Sequence, residues 1–109
     1  EDVENTHLTK FNGVANDYSC LGYSCLSKNN VMIKMFATSK NLKLTHDAKT
    51  PLYILAEKNY LAGFYFVKKH LSKEDVYQQS KQESPMTLCH RKKYLKFKEK
   101  LFDFLEGKS

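Results

Sequence analysis

The sequence contains few residues that interrupt helices, form disulfides or anchor protein interfaces. Among its 109 residues are 4 glycines, 2 prolines, 3 cysteines and no tryptophan. An odd number of cysteines argues against a disulfide-stapled secreted scaffold and favours reduced thiols in an intracellular, cytoplasmic protein. No apolar run approaches the roughly 18 residues that a membrane-spanning helix needs, so no membrane span is predicted.

The chain begins at Glu1 rather than at Met, and no signal peptide with a basic and then an apolar segment is visible. We therefore expect a piece of a longer protein or a processed product. Residues 1–16 are predicted to be an N-terminal extension or the end of a preceding element.

The composition indicates a folded domain, and the net charge indicates an anionic partner. Hydrophobic residues make up 41% and aromatic residues 13%, which is enough for a core and excludes compositional disorder. The net charge is +6. Such a charge suits an acidic protein, nucleic acid or an anionic membrane surface.

The two prolines mark an internal repeat. Thr50-Pro51-Leu52 is followed 34 positions later by Ser84-Pro85-Met86, and Tyr60-Leu61 is followed by Tyr94-Leu95 at the same interval. A weaker copy begins at Ser19, 31 positions before Thr50. Self-similarity at this period is typical of a repeat architecture in which neighbouring units share one core.

Each copy predicts a helix, a turn and a second helix. Ser or Thr can cap the free N–H groups of the first helix, and Pro is tolerated at its first position. The predicted turns are Lys28–Asn30, Lys58–Tyr60 and Lys92–Tyr94. The predicted apolar faces of the second helices are Val31, Met32, Met35 and Phe36; Leu61, Phe64, Phe66 and Val67; and Phe97, Leu101, Phe104 and Leu105. The polar stretches 41–49 and 72–83 are expected to be extended connectors.

Residues 17–107 resemble the ankyrin repeat family. The family opens each unit of about 33 residues with Thr-Pro-Leu-His-x-Ala. Thr50-Pro51-Leu52-Tyr53-Ile54-Leu55-Ala56 is similar to that signature, with Tyr53 in the place of the usual His. Lys28, Asn59 and Lys93 stand where the family usually has Gly. The resemblance implies an all-α solenoid of paired antiparallel helices, spanning 17–109, with repeats at 19–49, 50–83 and 84–109 and a C-terminal cap.

By resemblance, the chain is expected to be a monomeric protein–protein interaction module. The connector tips and the first helices would form its concave recognition face, meeting an acidic protein surface. The candidate partner-binding residues are His46, Asp47, Lys49, Glu57, Lys58, Ser80, Lys81, Glu83, Arg91 and Lys92. One alternative is a targeting module of a larger, host-directed bacterial effector enzyme that acts in the host cytosol. The other is a basic helical nucleic-acid-binding domain, which we rank below a protein partner.

Residues that could carry chemistry do not form a recognisable site. Cys20, Cys25, Cys89 and His90 lack the spacing of a zinc site. The repeat instead gives Cys25 the small, buried slot of Ala56, and Cys89 the slot before it. The four histidines are scattered along the chain at positions 7, 46, 70 and 90. We therefore predict no catalytic centre, metal or cofactor within these residues.

The strongest charge feature is the basic run 90–100. A nucleic-acid interface would use its cations for phosphates, with Tyr94 and Phe97 as stacking platforms. A terminal repeat, however, must be polar on the side that lacks a neighbour. We favour that second interpretation, in which Phe97 and Leu101 face inward. The residues that would then cover the exposed side are Lys96, Lys98 and Lys100.

The aromatic triplet Phe64–Phe66 lies in the central copy. A middle unit contacts neighbours on both sides, so the triplet is predicted to belong to the core. The alternative is an exposed aromatic binding patch.

Overall fold

The computed structural model describes residues 18–107, which form an all-α domain. Its helices are α1 (Cys20–Leu26), α2 (Asn30–Phe36), α3 (Pro51–Glu57), α4 (Leu61–Val67), α5 (Lys73–Tyr77), α6 (Pro85–Lys92) and α7 (Leu95–Leu105), with 3-10 turns at Asn41–Lys43 and Lys68–His70. The predicted all-α class is therefore confirmed. The prediction for residues 1–16 lies outside the described residues.

The first helix of each copy begins where the hydroxyl residues predicted it. Ser19, Thr50 and Ser84 each accept a hydrogen bond from a backbone N–H three residues later, at 3.0, 3.3 and 3.1 Å. Pro51 and Pro85 occupy the first turns of α3 and α6. Capping satisfies N–H groups that the helix itself leaves unpaired, and Pro has no N–H to lose.

The turns between paired helices use the left-handed backbone conformation. Lys28, Asn59 and Lys93 have φ values of 55°, 52° and 60°. The residue after each of them donates its N–H to a carbonyl five positions back, at 2.9–3.0 Å. This Schellman-type ending normally favours Gly, because a Cβ is strained at positive φ. The three turns thus share one backbone geometry, although none of them contains Gly.

Packing links like helices of successive copies. Helix α1 contacts α2 and α3, α3 contacts α4 and α6, α2 contacts α4, and α6 contacts α7. Helix α3 lies at the centre, and its residues from Pro51 to Ala56 are all buried. The Phe64 ring of α4 meets the Phe97 ring of α7 edge to face, with centroids 5.6 Å apart. The core therefore runs continuously through all three copies.

The predicted apolar face of α2 is wrong for Val31 and Met35, while Phe36 packs against the core as predicted. Val31 and Met35 are 69% and 65% exposed, whereas Ile33 and Ala37 are buried. Ile33 and Ala37 are also four residues apart, so both pairs are helical stripes on the same short helix. Contact with α1 and α4 selects the stripe that contains Ile33.

The connectors were predicted to be extended, but both of them contain helical structure. The first contains the 3-10 turn Asn41–Lys43, and the second contains α5. Each contributes a buried apolar side chain to the core, Leu42 and Val76 respectively. Lys43 Nζ lies 2.7 Å from Asp75 Oδ1, which ties the two connectors together.

None of the helices in residues 18–107 is both long and apolar enough to cross a bilayer.

Candidate functional site

Both connectors end in a tight hairpin-like turn. His46 and Lys49 exchange two backbone hydrogen bonds of 2.8 and 3.2 Å, and Ser80 and Glu83 exchange two of 2.7 and 3.0 Å. The two residues at each tip have positive φ, at 58° and 66° for Asp47–Ala48 and 52° and 68° for Lys81–Gln82. Two successive positive φ values are the geometry of a type I′ turn. The same turn thus recurs 34 positions along the chain.

Each turn is anchored to the start of the first helix of its own copy. The backbone N–H of Ser19 donates to Nδ1 of His46 at 3.1 Å, and that of Thr50 donates to Oγ of Ser80 at 3.1 Å. His46 also packs closely on Gly22, where an added Cβ would lie 2.4 Å from the His46 Cβ. Both side chains were predicted to bind a partner. His46 is half-buried, and Ser80 is only 2% exposed, so in this structure Ser80 fixes the turn from within.

Four further predicted residues form two ion pairs between the connectors and the first helices. Lys49 Nζ lies 2.9 Å from Glu57 Oε1 of α3. Glu83 receives two hydrogen bonds from Arg91 of α6, at 2.6 Å from Nε and 2.9 Å from Nη2. A bidentate guanidinium–carboxylate pair fixes both side chains more tightly than a single contact does. These charges hold the connectors against the helices.

Tyr53, which was not among the predicted site residues, completes this network. The hydroxyl of Tyr53, a buried residue of α3, donates to Glu83 Oε1 at 3.0 Å. The hydrogen bonds from Arg91 lower the pKa of Glu83, with Tyr53 acting in the same direction and burial opposing them. Burial, reinforced by the bond to Glu83, raises the pKa of Tyr53 to about 12. The available signal for this role was that Tyr53 is the residue that differs from the Thr-Pro-Leu-His signature the sequence resembles.

The remaining predicted residues point into solvent. Asp47 and Lys81 lie at the two turn tips, and Lys58 and Lys92 lie at the ends of α3 and α6. These three lysines form no salt bridge with a carboxylate of residues 18–107. We call Asp47, Lys58, Lys81 and Lys92 the connector face. It carries three positive side chains and one negative one, and the fold leaves all four accessible.

The cysteines occupy the packing positions that the repeat predicted. Cys25 and Cys89 are both buried in the core. Burial raises the pKa of each thiol to about 12, so neither is a thiolate at neutral pH. Residues 18–107 contain no group of three or more His, Cys, Asp or Glu side chains arranged to hold a metal ion.

Comparison with protein-family models, with curated proteins and with solved structures gives no match.

Proposed function

We propose that this chain is an ankyrin-type repeat segment that binds another protein through the connector face. The observation that carries the proposal is the pair of equivalent turns at 46–49 and 80–83, each anchored to a preceding helix start. The recurrence of the capped helix starts, the left-handed turns and the contacts between like helices supports a solenoid of stacked units.

The chemistry of the connector face favours an acidic protein surface. Lys58, Lys81 and Lys92 are exposed, while the nearby Glu57 and Glu83 are already neutralised by Lys49 and Arg91. The face therefore presents positive potential with one exposed carboxylate, Asp47, at its edge. Complementary charge speeds encounter and selects against partners of the same sign. Hairpin tips held by internal hydrogen bonds lose little conformational freedom on binding, which favours affinity.

The test compares capture of proteins by the wild-type chain and by a Lys58→Glu, Lys81→Glu, Lys92→Glu variant. Each immobilised chain is incubated with cytosolic lysate, and bound proteins are quantified by mass spectrometry. The binding of the recovered partner to each purified chain is then measured by calorimetry. We expect the triple variant to keep its fold, since substitutions of exposed residues usually change stability by less than about 0.5 kcal/mol. We expect it to bind the partner at least tenfold more weakly, because the potential of the face is inverted.

A matched control has the same charge change elsewhere: Lys40→Glu, Lys73→Glu, Lys96→Glu. These lysines are also exposed and lie outside the connector face. Retained binding by the control together with loss by the triple variant supports the proposal. Equal binding by the wild type and the triple variant would assign recognition to another surface, such as the basic side of α7.

A further inference from the structure

A second surface lies on the side of the molecule formed by the second helices. There a groove of about 690 Å³ runs between α2, α4, the 3-10 turn Lys68–His70 and the end of α7. Its lining residues are Lys34, Tyr65, Phe66, Lys68, Lys69, His70, Leu71 and Phe104. None of the residues of the connector face lines it, and neither does any residue of the Tyr53–Glu83–Arg91 network. The groove is therefore a separate candidate site.

The groove is positive and contains no carboxylate among its lining residues. Lys34, Lys68 and Lys69 form no salt bridge with a carboxylate of the described part of the chain. This differs from the connectors, where Lys49 and Arg91 are neutralised by glutamates. The ammonium groups are hydrogen-bond donors only, so they match a ligand that offers acceptors only. A phosphate backbone has that property, whereas a peptide backbone offers both donors and acceptors.

Aromatic rings lie between these cations. Tyr65 is 49% exposed, and its ring packs edge to face on the buried Phe64 at a centroid distance of 5.8 Å. The half-buried Phe66 has Lys34 Nζ 4.7 Å from its ring centroid. Phe104 closes the groove from α7. The triplet Phe64–Phe66 is thus divided: Phe64 belongs to the core as predicted, while Tyr65 presents an aromatic surface to solvent.

From this combination we propose that the groove binds single-stranded nucleic acid. Lysines contact the phosphates, and the exposed ring of Tyr65 stacks on an unpaired base, while Phe66 and Phe104 form the apolar wall of the groove. Single strands are favoured over a duplex because only unpaired bases expose their faces to aromatic side chains. The site differs from the basic run 90–100, which lies on α6 and α7 and lines no part of the groove.

The first experiment measures fluorescence anisotropy of a labelled ten-nucleotide oligothymidylate with the full 109-residue chain over a range of salt concentrations. The groove variant is Lys68→Gln with Lys69→Gln. Each phosphate contact contributes a slope of about −0.7 to the plot of log affinity against log salt, so three lysines give about −2. The groove variant is expected to bind about tenfold more weakly at ~0.1 M salt and to retain a slope of about −0.7.

The matched control is Lys73→Gln with Lys96→Gln, which removes the same charge from exposed positions outside the groove. It is expected to weaken binding less than about twofold, because the direct phosphate contacts remain. An equal loss in both variants, or no binding by the wild type, overturns the proposal. Tighter binding of a hairpin duplex, of phosphatidylserine vesicles or of polyglutamate than of oligothymidylate also overturns it.

The second experiment tests stacking apart from charge. Tyr65→Ala is expected to weaken oligothymidylate binding about fivefold or more, whereas Tyr65→Phe keeps the ring and stays near the wild type. Tyr77→Ala, at another exposed tyrosine, is the control. Equal affinities of the Tyr65→Ala and wild-type chains would overturn the stacking role. Because none of these tyrosine variants changes the connector face, the result is independent of protein recognition there.

Discussion

The central copy and the first copy share one pattern of residues but differ sharply in burial. Helix α4, the second helix of the central copy, buries Gly63, Phe64 and Val67, while α2, the second helix of the first copy, buries only Ile33. Helix α4 contacts α2 and α3, and its Phe64 ring also meets Phe97 of α7, whereas α2 contacts only α1 and α4 among the helices with extensive contacts. The difference teaches that burial in this chain is set by the number of neighbours, and that apolar character alone does not ensure it.

Truncation of a core aromatic should expose this difference most strongly. Phe64→Ala removes a fully buried ring and its contact with Phe97, and we expect a loss of about 3–5 kcal/mol in the free energy of unfolding. Val31→Ala, on the exposed stripe of α2, is expected to cost less than about 0.5 kcal/mol. Urea denaturation followed by circular dichroism measures both. Similar losses for the two variants would mean that Val31 is covered in solution and that the comparison of the two copies fails.

Substitution by Gly in the turns between paired helices should change the free energy of unfolding less than Phe64→Ala does, and should increase it. Lys28 and Lys93 adopt positive φ in the outer copies, where the central copy has Asn59. Lysine is more strained than asparagine in this conformation, and glycine is strained least. Lys28→Gly and Lys93→Gly should each stabilise the fold by about 0.5–1 kcal/mol, partly offset by the greater freedom of Gly in the unfolded chain. Asn59→Gly should change the thermal midpoint less than either. A larger gain at Asn59 would contradict this order.

The smallest effect concerns the connector between the central and last copies. Because Arg91 and Tyr53 hold the pKa of Glu83 below its ordinary value of 4.5, the ionised carboxylate stabilises the fold above that pH. This contribution is lost as the pH falls through the lowered pKa. Glu83→Gln should therefore be less stable at neutral pH and lose less stability on acidification. The effect is small because Arg91 is solvent-screened.

The measurement for Glu83 is the thermal midpoint as a function of pH. Arg91→Gln should flatten the profile in the same way, and adding it to Glu83→Gln should have little further effect, since both remove one interaction. An unchanged pH profile in the Glu83→Gln variant would show that this network does not stabilise the connector.

Much of the local structure could be predicted because short-range chemistry fixes it. A hydroxyl residue before Pro favours a helix start through contacts with its nearest neighbours, so Thr50 and Ser84 were identified from the sequence. The turn positions followed from the repeat, and so did the buried places of Cys25 and Cys89. In the connectors, the same reasoning missed α5, whose buried Val76 is one apolar side chain in a polar stretch.

The sequence predicted where the residues of the candidate site lie along the chain, but not what each of their side chains does in the fold. Ten residues were assigned to one surface, but Ser80 is buried and Glu83 is enclosed by Tyr53 and Arg91. Sequence spacing gives the location of a connector tip, because the repeat is regular. It does not tell which polar side chains turn back towards the chain, since their partners lie eight to 30 residues away.

The sequence by itself determined where the paired helices of each copy begin and turn, because capping, proline geometry and the 34-residue period act over a few neighbouring residues. Only the tertiary structure decided which stripe of α2 is buried, which of the polar connector residues anchor the turns, and that Tyr65 faces a basic groove. Two overlapping apolar stripes on one short helix are equivalent until a neighbouring helix covers one of them. A polar side chain likewise becomes an anchor or a free contact only when the folded chain brings a partner within hydrogen-bond distance.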